Sequence, residues 1–110
     1  MKIKIQTAAD SLSLENGKIR AFAEGTEHIF DISEVEAALI ITSDLGPFYD
    51  DMCLALRISS QTAVFIMSGH PCYSAFLFDQ LGKTLELDYN MIIKASSCTE
   101  NNVFVIFKRT

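Results

Sequence analysis

Apolar and polar residues alternate with period two over most of the first two thirds of the chain, and the period changes only near the end. Ile3 and Ile5 alternate with Lys2, Lys4 and Gln6, the pattern of a strand with one buried face. Leu12 and Leu14 continue the alternation, and Ile19 and Ala21 resume it after Glu15-Asn16-Gly17-Lys18. Asn-Gly tolerates the two positive φ angles of a type I′ turn, whose twist matches that of the flanking strands, so a hairpin is expected there. A short strand around His28 to Ile32 follows.

From Val35 to Thr42 the run is apolar except for Glu36, which suits a central strand covered on both faces or a crowded edge. Asp44-Leu45-Gly46-Pro47 breaks it with turn chemistry. Met52 to Ile58 and Thr62 to Ser68 form an antiparallel pair around Ser59-Ser60-Gln61, with Met52, Leu54, Leu56 and Ile58 sharing a face of the first strand and Val64 and Ile66 sharing a face of the second. The order of these strands predicts a sheet that is largely a meander.

The last third reads as helix. Tyr73, Phe76, Leu77, Gln80 and Leu81 fall at i, i+3, i+4, i+7 and i+8, a single stripe on a 3.6-residue helix. Pro71 stands where a first-turn proline is tolerated, and Gly82 ends or weakens the last turn. Asp88 is placed to cap a second, short helix carrying Met91, Ile92 and Ala95. Val103 to Lys108 alternates as a final strand. The expectation is one α+β domain over residues 1–110: a largely antiparallel sheet of six to eight strands, two helices in the C-terminal half packed on it, and a closing strand.

Composition narrows the function classes. The chain has 110 residues, 49% of them hydrophobic, with 14 acidic and 9 basic side chains and a formal charge of −5. That is a globular composition, and its sign disfavours general nucleic-acid binding. Met1 to Gln6 has no continuous apolar stretch and does not read as a signal peptide, and no run is long enough for a membrane helix. Cys53, Cys72 and Cys98 are odd in number and irregularly spaced, which points to free thiols in a reducing cytoplasm rather than a disulfide framework.

Three sets of residues are candidates for chemistry. Gly69-His70-Pro71-Cys72-Tyr73 places a thiol near a helix start and two residues from a histidine, as a nucleophilic cysteine enzyme would need; packing of Cys72 under the helix is the plainer alternative. The cysteines together with His28 and His70 lack any metal-ligand spacing, so neither metal nor cofactor is expected. Asp50-Asp51 and Glu34 with Glu36 are paired acids without a visible acceptor pocket, and adjacent strand residues point to opposite faces.

Charge distribution says more. Glu24, Glu27, Asp31, Glu34, Glu36, Asp44, Asp50 and Asp51 stand together with no intervening Lys or Arg, while the rest of the chain holds six acids and all nine bases. This window is either a solvated acidic face or a docking surface for a basic partner. Within it, Asp44, Tyr49, Asp50 and Asp51 form the expected partner-binding centre, with Glu34 and Glu36 as rim charges, because an aromatic flanked by carboxylates resembles a hot spot with a charged border.

Ser33-Glu34-Val35, Asp44-Leu45-Gly46-Pro47-Phe48 with Asp50-Asp51, Ser97-Cys98-Thr99-Glu100-Asn101 and Phe107-Lys108-Arg109, in that order around a strand pair and an amphipathic helix, resemble a family of small bacterial proteins without an assigned activity. The join Leu85-Glu86-Leu87-Asp88 departs from the Pro-Gly-Phe-Asp turn of that pattern. In size and acidity the chain is also similar, as a class, to immunity proteins of bacterial toxin–immunity systems, including contact-dependent growth inhibition. That resemblance implies a non-enzymatic cytoplasmic protein that binds one cognate toxin domain, often a basic nuclease, and occludes it. Alternatives are the Cys72/His70 enzyme and a homodimeric binding module paired through the Val35–Thr42 or Val103–Lys108 edge.

Overall fold

A computed structural model describes residues 1–42, 52–59, 61–98 and 100–109. Eight strands occur in chain order: β1 (Lys2–Ile5), β2 (Ser11–Glu15), β3 (Lys18–Ala23), β4 (Thr26–Asp31), β5 (Ala37–Thr42), β6 (Met52–Ser59), β7 (Thr62–Met67) and β8 (Asn102–Lys108). A 3-10 turn, Ile32–Glu34, joins β4 to β5. Between β7 and β8 lie a π-helix, Ala75–Leu81, its short continuation α1 (Gly82–Thr84), and α2 (Tyr89–Ser96). The fold is α+β and mostly antiparallel, as the hydrophobic pattern predicts.

The strands divide between two sheets rather than following one another in a single meander. β2, β3 and β4 form a three-stranded sheet in that order, and the other five pair as β1-β7-β6-β5-β8. The smaller sheet is local: each connection is a two-residue turn in left-handed conformation. Asn16 and Gly17 have φ of 51° and 74°, and Glu24 and Gly25 have φ of 54° and 78°. Primed turns of this kind let antiparallel strands keep their natural twist.

The larger sheet depends on distant pairings. β1 lies parallel to β7, Lys2 opposite Ala63 and Ile5 opposite Ile66. β5 is hydrogen-bonded to β6 on one side and to β8 on the other, so it is interior. This corrects the expectation of a dimer edge at Val35–Thr42: the backbone groups that would pair with a second copy are already used within the sheet. A bulge opposite Ala38 and Leu39 inserts an extra residue into β8. It lets Ile106 stay buried while Lys108 returns to the opposite face.

A single core lies between the sheets and the helices. Ile3, Ile5, Leu54, Leu56, Val64, Ile66, Ala38 and Ile40 face it from the larger sheet, and Leu12, Leu14, Ile19 and Ala21 face it from the smaller one. Phe76, Leu77 and Leu81 of the π-helix are fully buried in it, and Ile92 and Ala95 of α2 complete it. Asp88 caps α2, its carboxylate accepting from the Met91 N–H at 3.2 Å. The first helix has i→i+5 rather than i→i+4 bonding, as in the Gly82 N–H donating to the Leu77 carbonyl. Its stripe nevertheless faces inward as the spacing predicts, and Gln80 on that stripe accepts a 2.7 Å hydrogen bond from the Leu14 N–H of β2.

Candidate functional site

Of the acidic window, Glu27 and Asp31 lie on β4, Glu24 in the turn before it and Glu34 in the 3-10 turn after it. β2 is met on its outer edge by Gln80, whereas among the described residues β4 pairs only with β3. In a two-residue hairpin the residues flanking the turn, Ala23 and Thr26, exchange hydrogen bonds, and so do Ala21 with His28 and Ile19 with Phe30. The backbone groups of Glu27, Ile29 and Asp31 therefore point outward. Asp31 N–H is satisfied by the Glu34 carboxylate at 2.8 Å, leaving Glu27 and Ile29 as the accessible stretch of edge. The Ile29 side chain is 52% exposed.

Not all of the acidic charge on this side is uncompensated. Lys18, directly across from Asp31, bonds its carboxylate at 2.8 Å, and Arg20 approaches Glu27 at 3.9 Å. The Lys18 bond, helped by the Ser33 backbone and hydroxyl, holds the Asp31 carboxyl well below the usual carboxylate range; Asp31 in turn raises the Lys18 ammonium. Asp31 and Glu34 form a capping box on the 3-10 turn. Glu24, Glu34 and Glu36 are exposed and make no ion pair among the described residues. Of the residues expected to carry partner binding, Glu34 lies at the end of β4, its carboxylate on the Asp31 N–H, whereas Glu36 stands at the end of the larger sheet, its N–H donating to the Arg57 carbonyl and its carbonyl accepting from the Arg109 N–H. Asp44, Tyr49, Asp50 and Asp51 lie outside the described residues.

His70 and Cys72 are adjacent, but not as a nucleophile and its base. His70 is 8% exposed; its Nε2 is 2.9 Å from the Thr7 carbonyl, and its Nδ1 lies 3.1 Å from the Cys72 backbone N–H. One neutral tautomer satisfies both contacts, with Nδ1 accepting and Nε2 donating. Both ring nitrogens are therefore engaged by backbone rather than by the Cys72 thiol. The three cysteines are free and half-buried. Burial pushes the Cys53 thiol up, away from the thiolate a nucleophile needs. Among the described residues no three His, Cys, Asp or Glu side chains converge as metal ligands, and no helix is long and apolar enough to cross a membrane.

Sequence reasoning missed the residue that organises the loops next to this side. The Asp10 carboxylate accepts from the backbone N–H groups of Gln6 and Thr7, each at 2.9 Å, and of Glu24 at 3.4 Å. These donors hold its carboxyl below its ordinary value. Through Thr7, whose carbonyl meets His70, Asp10 ties the β1–β2 loop to the β3–β4 turn and to the segment after β7. A lone acid between two apolar stretches gives no hint of donors brought in from residue 24. The Glu24-Gly25 turn was legible in principle, because glycine follows a polar residue between alternating runs.

No protein-family model, curated protein or solved structure matches this chain.

Proposed function

We propose that this chain works by binding another protein, as an immunity protein that neutralises a cognate bacterial toxin domain in the cytoplasm, and that β4 with the following 3-10 turn is the docking side. The observation that carries the reading is a strand edge unpaired among the described residues, with an exposed apolar residue, Ile29, and with the exposed carboxylates of Glu24 before it and Glu34 after it. An open edge offers main-chain hydrogen bonds to a partner strand or loop, and the carboxylates select a basic surface. A nuclease binds phosphates with Lys and Arg, and an acidic edge seated on those groups would exclude substrate by occupying the same charges. The non-enzymatic reading is favoured further by His70, whose ring nitrogens are both taken by backbone.

Co-expression with the basic toxin domain encoded beside this chain's gene tests the proposal. Copurification and protection of the cell are expected; a toxin that stays active and unbound overturns it. Reversal of charge in Glu24→Lys/Glu36→Lys is expected to slow association at least tenfold at low salt and to flatten its salt dependence, because these carboxylates steer the encounter. An unchanged association rate removes β4 as the docking side while leaving the immunity role to be borne by another surface.

A further inference from the structure

The five-stranded sheet has a second face, turned away from the core, and its cross-strand rows are ordered by chemistry. Lys108, Ala37, Arg57, Ala63 and Lys2 stand side by side across β8, β5, β6, β7 and β1. The next row is Val105, Leu39, Ala55, Phe65 and Lys4, and the third is Val103, Ile41, Cys53 and Met67. Val103 and Val105 are 53% and 43% exposed, and Leu39, Ile41, Phe65 and Met67 are half-buried. A depression of about 320 Å³ opens on this face, lined by Leu39, Ile41, Ala55, Arg57, Ala63 and Phe65 among others. Eight apolar side chains thus form a floor bounded by four exposed bases, and no carboxylate lies in any of the three rows.

We propose that this face is a second docking surface, opposite in sign to the β4 edge, whose occupant is an amphipathic helix of another protein with acidic residues along one margin. Three features select that occupant. The aliphatic floor takes the apolar stripe of a helix, which would otherwise have no partner. Lys108, Arg57 and Lys2 sit on every second strand, about 10 Å apart at ordinary strand spacing. Carboxylates at i and i+7 of an α-helix repeat at about the same distance, 10.5 Å, on one side. The alanines between the bases, Ala37 and Ala63, keep the row low enough for a backbone to approach.

Other occupants fit less well. A second copy docked face to face brings no carboxylate, since the rows contain none. A single-stranded nucleic acid needs successive aromatic rings to stack its bases, and among the described residues the three rows hold one aromatic, Phe65. Glu36, the acid nearest the row in sequence, makes no ion pair with Arg57 or Lys108.

The test is an NMR titration of the full chain with a designed helical peptide carrying a Leu/Phe stripe and Glu at i and i+7. A matched peptide with Lys at those positions and a single-stranded DNA oligomer serve as competitors. The expected result is saturable binding of the acidic peptide, with methyl shifts confined to Leu39, Ala55, Ile41, Val103 and Val105. Affinity should drop at least tenfold in Arg57→Glu/Lys108→Glu and fall steadily with added salt. The salt titration of the unmodified chain decides the electrostatic part even where the double variant folds poorly. Absence of binding, equal binding of the Lys peptide, preference for the oligomer, shifts on β4, or shifts on this face that follow protein concentration without peptide would each overturn the proposal.

Discussion

Asp10 is nearly buried at 8% exposure, and three backbone N–H groups surround its carboxylate. They stabilise the ionised form, so the folded state binds this proton less readily than the unfolded chain. The stability it contributes is present above the ordinary value of 3.8 and is lost as pH falls through the lower folded value. Asp10→Asn should therefore lower stability at neutral pH and shallow the acid limb of a denaturation profile, measured by chemical unfolding at successive pH values. Tyr73 acts at the other end of the scale. Burial, with a smaller contribution from Cys53, pushes its phenol up to about 12. A raised value means that its stabilising contribution is complete below pH 10 and declines as pH rises toward 12; Tyr73→Phe should remove that alkaline decline. His70→Ala leaves the Thr7 carbonyl and the Cys72 N–H without partners and should destabilise the fold by roughly 1–3 kcal/mol in denaturant.

Among the elements, the π-helix departs most from its sequence pattern. Its apolar stripe reads as an ordinary helix because burial, not pitch, sets the spacing of Phe76, Leu77 and Leu81. Pitch is settled by what surrounds it: Gln80 reaches the β2 edge, and Gly82 continues the helical backbone instead of ending it. A Cβ at Gly82 would lie 2.5 Å from the Tyr89 hydroxyl and 3.2 Å from the Leu77 carbonyl. Gly82→Ala is expected to destabilise by about 1–3 kcal/mol as an overpacking change. Combination with Tyr89→Phe should recover part of that loss, read as a coupling energy in a double-mutant cycle. Equal losses with and without the hydroxyl would place the strain on the Leu77 carbonyl alone.

The same contrast between near and far explains what was legible in the sequence. The Asn16-Gly17 hairpin, the β6–β7 pair and the Asp88 cap are written in residues within a few positions of one another. The split into two sheets and the β1–β7 pairing are decided by residues about sixty positions apart, and no local period records them. The uncovered face was partly legible. Near-continuous apolar runs in β5, β6 and β7 signal side chains on both faces, but not that helices cover only one of them. Four isolated bases likewise become a border only through strand register.

Over the whole molecule, charge that is clustered along the chain is redistributed in space. Lys18 and Arg20 enter the acidic side through β3, and bases from both ends of the chain meet in one row of the larger sheet. Two surfaces of opposite sign in one small fold should be separable. Arg57→Glu/Lys108→Glu should leave toxin-domain affinity unchanged within twofold, and Glu24→Lys alone should spare the acidic-peptide titration. Losses in both assays from either variant would indicate that the two sides act as one interface.

The parallel pairing of β1 with β7 has a consequence for the order in which the chain assembles. β2, β3 and β4 have their partners in hand as soon as their tight turns form, so the smaller sheet is free to condense early. β1 is synthesised before the other strands of its sheet, yet its hydrogen-bonding partner appears only with Thr62–Met67, and the entropy of closing so long a loop delays their meeting. During synthesis on the ribosome, a strand made before the rest of its sheet is among the last to find its place.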